Sequence, residues 1–181
     1  MQEEIGFLAN LSEFLGSENR FNGSLPRSIV NLKELGSLDL HENALSGELP
    51  DGVNSWKKMN ELNLAKNAFS GNIPDGIGGM SVLNYLDLSN NRFSGKIPIG
   101  LQNLKLNKLN LSSNRLSGEI PPLFAKEMYK SSFIGNPGLC GDIEGLCDGK
   151  GGIGYAWLMR CIFALVVFLL IFGVFWFYFK K

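Results

Sequence analysis

The chain has 181 residues, 17 acidic and 17 basic side chains, and a mean hydropathy near zero, +0.05. All 17 acidic residues precede Gly149 and 14 of the 17 basic ones precede Gly151, so this stretch is net acidic and lacks the basic stripe that nucleic-acid binding requires. His41 is the only histidine and no Ser or Cys has a general base in register with it, so no catalytic constellation, metal site or cofactor is expected.

From the N-terminus onward the chain carries a repeating register. Asn19, Asn43, Asn67, Asn91 and Asn114 recur at intervals of 24, 24, 24 and 23, and Gly23, Gly47, Gly71, Gly95 and Gly118 keep the same spacing, as do Pro26, Pro50, Pro74, Pro98 and Pro121. Residues 1–34 follow it as partial and degenerate repeats. Ile5 falls where Ile77 does, Gln2 takes the proline position, and Phe14 and Gly16 stand where the first strand should have leucines. The sequence is therefore expected to open inside a repeat of a longer array. Met-Gln-Glu-Glu is acidic and precedes no apolar run, so a signal sequence and an N-terminal cap are expected to have been lost from it.

Residues 35–124 are the regular repeats, reading LGSLDLHENALSGELPDGVNSWKK from Leu35, MNELNLAKNAFSGNIPDGIGGMSV from Met59 and LNYLDLSNNRFSGKIPIGLQNLK from Leu83. Leu38 and Leu40, Leu62 and Leu64, Leu86 and Leu88, and Leu109 and Leu111 alternate with polar residues, the period of a strand with one buried face. An asparagine follows each strand, where its amide can donate to and accept from the stacked turns; the five should form a buried ladder. Glycine then permits a tight or left-handed backbone, and proline sits where the chain is extended and needs no donor. The pattern specifies a leucine-rich-repeat solenoid, with a parallel sheet on the concave face and an irregular or 3-10 convex side, followed by a single transmembrane α-helix. Trp56 shares the position of Leu32, Met80 and Leu104 and is read as convex-side core.

The register also names the outward concave side chains. Ser37, Asp39 and His41, then Glu61 and Asn63, Tyr85 and Asp87, and Lys108 are the candidate partner-binding residues, with Ala65, Ser89, Asn110 and Ser112 beside them. Tyr85 is the candidate anchor, flanked by acceptors at Asp39, Asp87 and Glu61. Ordinary solvated polar residues are the alternative reading of this face.

Residues 125–148 form a C-terminal cap in which Cys140 and Cys147 close a small disulfide loop in an oxidising compartment, or remain two thiols. Asn10, Asn22 and Asn110 head N-x-S sequons, candidate glycosylation sites. Residues 149–156 are a juxtamembrane linker; Gly149 to Gly154 spell GxGxxG, but with no strand leading in and no helix to receive a phosphate the match is rejected. Residues 157–179 are the membrane span, uncharged for 19 residues from Cys161 to Phe179, close to the ~30 Å of a bilayer core. Lys180 and Lys181 begin the stop-transfer segment and favour a cytoplasmic C-terminus.

The LSGxIP repeats, KSSFIGNPGLCG, the Cys pair, the span and the basic stop together resemble plant leucine-rich-repeat receptor-like kinases. SWKKMNELNLAKN, LDLSNNRFSGKIP, GLQNLKLNKLNLS and NPGLCGDIEGLCDG resemble, more narrowly, the HAESA and HAESA-like receptors. The resemblance implies a single-pass plasma-membrane receptor with extracellular repeats, a secreted peptide ligand and a co-receptor kinase ectodomain as partners. By position, this stretch would be the co-receptor docking side and membrane anchor. The family's paired-Cys N-terminal cap and its Ser/Thr kinase motifs have no match in these residues, so the chain as given is not expected to be an enzyme. A truncated receptor acting as a decoy and an inactive gene fragment are the alternatives.

Overall fold

Each turn of the register has three sides, and the computed structural model, which describes residues 2–141, builds each side from a different element. The chain order is η1 (Glu3–Phe7), β1 (Glu13–Leu15), β2 (Asn22–Gly23), η2 (Arg27–Asn31), β3 (Ser37–Asp39), β4 (Ala44–Gly47), η3 (Val53–Ser55), β5 (Glu61–Asn63) and β6 (Ala68–Asn72). There follow η4 (Asp75–Gly79), β7 (Tyr85–Asp87), β8 (Arg92–Gly95), η5 (Ile99–Asn103), β9 (Lys108–Asn110), β10 (Arg115–Glu119), η6 (Glu127–Ser132) and β11 (Gly138–Cys140). The η elements are 3-10 helices.

The concave sheet is parallel, in the order β1-β3-β5-β7-β9. Its register repeats the sequence period: Glu13 lies beside Ser37, Ser37 beside Glu61, Glu61 beside Tyr85 and Tyr85 beside Lys108. The central leucines Leu38, Leu62, Leu86 and Leu109 point inward and are buried, as are Leu40, Leu64, Leu88 and Leu111 just beyond the strands. The first strand, expected to be degenerate, pairs in full register. A side chain at Gly16 would meet Phe21 at 2.9 Å and Leu40 at 3.1 Å, and Phe14 packs edge-on against Phe21. The two rings thus take up the space that leucines fill elsewhere.

A second parallel sheet, in the order β11-β10-β8-β6-β4-β2, runs along the flank. The sequence reading assigned no strand there. These strands are short, and the glycine in each segment takes a left-handed φ, from +73° at Gly95 to +88° at Gly118 across Gly23, Gly47, Gly71, Gly95 and Gly118, so no alternating pattern marks them. On the convex side, Pro26, Pro74 and Pro98 precede η2, η4 and η5. The third turn differs: its helix, η3, starts later, after left-handed Gly52. Trp56 ends that helix, is buried as read, and donates from Nε1 to the Ile29 carbonyl at 3.1 Å.

The asparagine ladder explains the fixed 23–24-residue spacing. Asn67 donates from Nδ2 to the carbonyl of Leu64 in its own turn (3.2 Å) and to that of Leu40 in the previous one (2.9 Å), while its Oδ1 accepts the Leu45 N–H (2.9 Å). Asn91 and Asn114 repeat this, so each carbonyl of Leu40, Leu64 and Leu88 serves two successive asparagines. Burial is graded along the ladder: Asn19 is exposed, Asn43, Asn67 and Asn91 are half-buried, and Asn114 is buried. A sixth rung, not foreseen, is Asn136 in the cap. It bonds the Leu111 and Phe133 carbonyls at 2.9 Å and accepts the Leu116 N–H at 3.0 Å. Just before each rung stands a left-handed residue: Glu18, Glu42, Lys66, Asn90, Ser113 and then Gly135. The cap is therefore one more turn of the same rule.

The cap also closes the sheet edges. Leu111 and Ser113 donate backbone N–H groups to the Ser132 and Ile134 carbonyls, β11 pairs with β10, and Phe124 packs with Tyr129 and Phe133 beneath. At the other end β1 is the last strand of its sheet, with Phe7, Leu8 and Leu15 exposed around it. Among the described residues no helix is long and apolar enough to cross a membrane. The expected span, 157–179, the linker and Cys147 lie outside the described residues.

Candidate functional site: the concave face

Three rows of side chains cross the concave sheet, because residues at one strand position stand beside one another in a parallel ladder. The first is Glu13, Ser37, Glu61, Tyr85 and Lys108. The second is Leu15, Asp39, Asn63, Asp87 and Asn110. His41, Ala65, Ser89 and Ser112 follow two residues later on the same face.

The second row is largely satisfied by its neighbours. Asp39 Oδ1 lies 2.6 Å from His41 Nδ1, and its carboxylate also accepts the His41 N–H, so the imidazole is held with Nδ1 as donor. Asn63 Nδ2 lies 3.2 Å from the same nitrogen, a contact that is not a hydrogen bond while Nδ1 carries its proton, and Glu18 stands 3.8 Å from Nε2. Asp87 accepts from Ser89 N–H and Oγ and from Asn110 Nδ2. Asn63 and Asp87 are only 8% and 6% exposed. Both were read as outward contact residues; they instead form the floor of the face, and His41 is half-buried within it.

Tyr85 has a different partner from those expected. Its hydroxyl accepts from Lys108 Nζ at 2.7 Å, and the same ammonium lies 4.5 Å from the ring centroid and 3.5 Å from Asp87 Oδ2. The hydrogen bond to Tyr85 holds the Lys108 ammonium above the ordinary lysine range, burial opposes this, and Asp87 adds to it. Ser37 and Glu61 stand where the register put them, half-exposed in the first row. Glu13, Leu15 and Glu18 belong to the same face and were missed; counting back one repeat from Ser37, Asp39 and Glu42 would have found them.

The other sequence candidates are scattered. Asn10 and Asn22 are exposed on a turn and on the flank sheet. Asn110 is on the concave face with its amide engaged, donating to Asp87 and accepting from Ser112 N–H and Oγ. Cys140 lies exposed in β11. Among the described residues there is no group of three or more His, Cys, Asp or Glu side chains that could hold a metal ion.

Stacked turns, a parallel concave sheet and an asparagine ladder define a leucine-rich-repeat protein, and the Leucine Rich Repeat family profile matches residues 58–80, 82–104 and 105–126. Receptor-like protein kinase HSL1 of Arabidopsis thaliana is 66% identical over 83 residues, which are 44% of this chain and 8% of that protein. The Arabidopsis receptor kinase HAESA, solved with the peptide hormone IDA and the co-receptor SERK1, superposes with a TM-score of 0.77 at 59% identity, over 81% of this chain and 24% of that one. The Arabidopsis BIR2 ectodomain superposes with a TM-score of 0.64 at 36% identity, over 71% of this chain and 68% of that one. The chain belongs to the leucine-rich-repeat ectodomains of plant receptor kinases and is HAESA-like. It spans a small fraction of HSL1 and about a quarter of the HAESA ectodomain.

Proposed function

We propose that this chain is the co-receptor docking and membrane-anchoring part of a peptide-hormone receptor. The observation that carries the reading is its likeness, at 59% identity over 81% of the chain, to HAESA as solved with IDA and SERK1. The last repeats and the cap, residues 125–148, present the surface for the co-receptor ectodomain, with the first-row residues Ser37, Glu61, Tyr85 and Lys108 as its concave part. Residues 157–179 cross the plasma membrane once, leaving the repeats outside and Lys180 and Lys181 in the cytoplasm. Cys140 and Cys147 pair in a disulfide, and Asn10, Asn22 and Asn110 are glycan acceptors. The chain itself carries no catalysis.

Capture of a SERK1 ectodomain by the full chain in detergent micelles, with and without IDA peptide, tests the reading. Saturable capture is expected. Absence of capture under both conditions refutes it. Peptide mass mapping without reduction reads the disulfide as the loss of two hydrogens across Cys140 and Cys147, and enzymatic deglycosylation reads each sequon.

A further inference from the structure

The flank sheet carries positive charge that no contact within the chain uses. Phe69, Phe93 and Leu116 of β6, β8 and β10 are buried, so the residues beside them face outward: Ser70 and Asn72, then Arg92 and Ser94 with Lys96 just past β8, then Arg115 and Ser117. Arg92, Lys96 and Arg115 are exposed, and among the described residues none of the three has an ion pair or a side-chain hydrogen bond. Arg115 lies beside Ser94, which stands midway between Arg92 and Lys96 on the next strand. With strands ~4.8 Å apart and two residues spanning ~6.6 Å, Arg115 is roughly 8 Å from each of the other two along the backbone. The repeated glycines keep this face flat. Glu48, Asn72 and Lys96 each lie across the glycine of the next turn, Gly71, Gly95 and Gly118, so that the Lys96 stem runs from β8 onto β10. Its floor is small and polar: the Ser94 and Ser117 hydroxyls donate only long bonds, 3.4 Å, to the Gly71 and Gly95 carbonyls, and no large hydrophobic residue is exposed on β4, β6, β8 or β10. Glu119, beside Cys140, is the only carboxylate on β6, β8, β10 and β11.

We propose that this end of the flank sheet binds a linear acidic polysaccharide, whose carboxylates pair with Arg92, Arg115 and Lys96 and whose hydroxyls meet Ser94 and Ser117. The arginines offer planar forks of donors that match a carboxylate. A flat face suits a polymer lying across the strands. Without an aromatic or aliphatic anchor it lacks the buried centre on which a protein partner depends, and without exposed apolar side chains it has nothing to insert into a lipid surface. Three cations make a patch and not the stripe that a nucleic acid follows. The flank is a different side of each turn from the concave rows, so the inference goes beyond the receptor reading and does not depend on it.

The test uses the full chain in detergent micelles and a labelled oligogalacturonate, followed by fluorescence anisotropy at low salt. The acid form is expected to bind about tenfold more tightly than its fully methyl-esterified counterpart, and Arg92→Gln combined with Arg115→Gln to weaken it about tenfold. Lys33→Gln combined with Lys105→Gln removes the same charge from exposed side chains off the flank sheet and is expected to change affinity less than about twofold. Asn72→Lys adds a cation on the other side of Ser94 from Arg115 and is expected to tighten binding, a gain that a misfolded chain cannot produce. Equal binding of acid and ester, equal losses from the two double substitutions, or no gain from Asn72→Lys overturns the inference. Tighter binding of polyglutamate or of phosphatidylserine vesicles than of the oligogalacturonate also overturns it, and gives the patch to a protein or to a lipid surface.

Discussion

Replacing Asn114 by alanine removes the most buried of the five repeated asparagines and should be the costliest change among them. Its Oδ1 accepts the Phe93 N–H at 3.0 Å, and its Nδ2 donates to the carbonyls of Leu88, Leu111 and Ser112 at 3.0, 3.1 and 3.2 Å. The carbonyls are insured, since Asn91 still reaches Leu88 and Asn136 still reaches Leu111. The Phe93 N–H is not, and a buried orphan donor costs about 1–3 kcal/mol, to which the lost donor bonds add about 1 kcal/mol. Asn114→Ala is therefore expected to cost about 2–4 kcal/mol. Asn19→Ala should cost under about 1 kcal/mol, because that side chain is exposed and makes only bonds to Gly16 and Ser17 carbonyls. Amide hydrogen exchange at Phe93 is the assay: 2 kcal/mol corresponds to roughly 30-fold faster exchange. Equal effects of the two substitutions on exchange and on denaturant midpoint would refute the ladder argument.

Three further outcomes are expected. Gly78→Ala places a methyl 2.8 Å from the Gly100 backbone, and should destabilise by about 1–3 kcal/mol in chemical denaturation, whereas Gly100→Ala, 3.3 Å from the Gly78 Cα, should cost less. Trp56→Phe keeps most of the packing but loses the bond to Ile29, so a midpoint shift worth about 1–2 kcal/mol is expected, against about 3–5 kcal/mol for Trp56→Ala. Acid should loosen η1 from η2. Glu3 accepts from the side chain and backbone of this junction, chiefly Ser28 and also Arg27 N–H, and these bonds hold its carboxyl below the ordinary range. A depressed folded pKa stabilises above the unfolded value and is lost as pH falls through the folded one, so exchange of residues 3–8 should rise below the ordinary glutamate range, and Glu3→Gln should abolish that dependence.

The repeat period was legible because four demands recur at one spacing: inward leucine pairs, a bridging amide, a left-handed glycine and a proline. Register followed from it directly, and with it the concave rows and the burial of Trp56. The flank sheet was not legible, since its strands are two to five residues long and glycine breaks any alternation. Nor was Asn136, whose turn is shorter than the others and carries η6 where a concave strand would stand. The fate of the polar side chains was only half legible. Sequence gives which face Asn63 and Asp87 point to, but not that lateral neighbours and the following residues fold over them. β1 was discounted for lacking leucines, and its Glu13 was lost from the face with it.

Every ladder bond stays within its own turn or reaches about one turn back or forward, with sequence separations such as 3 for Leu64 to Asn67, 22 for Leu45 to Asn67 and 27 for Leu40 to Asn67. Contact order in absolute terms is thus fixed by the turn and does not grow as turns are added, so folding can spread from any pair of turns at a pace independent of array length. Mechanically the same arrangement behaves as a stiff spring. A load applied at the cap is handed from turn to turn through the ladder, the two parallel sheets and the shared leucine core, so each turn bears it in succession.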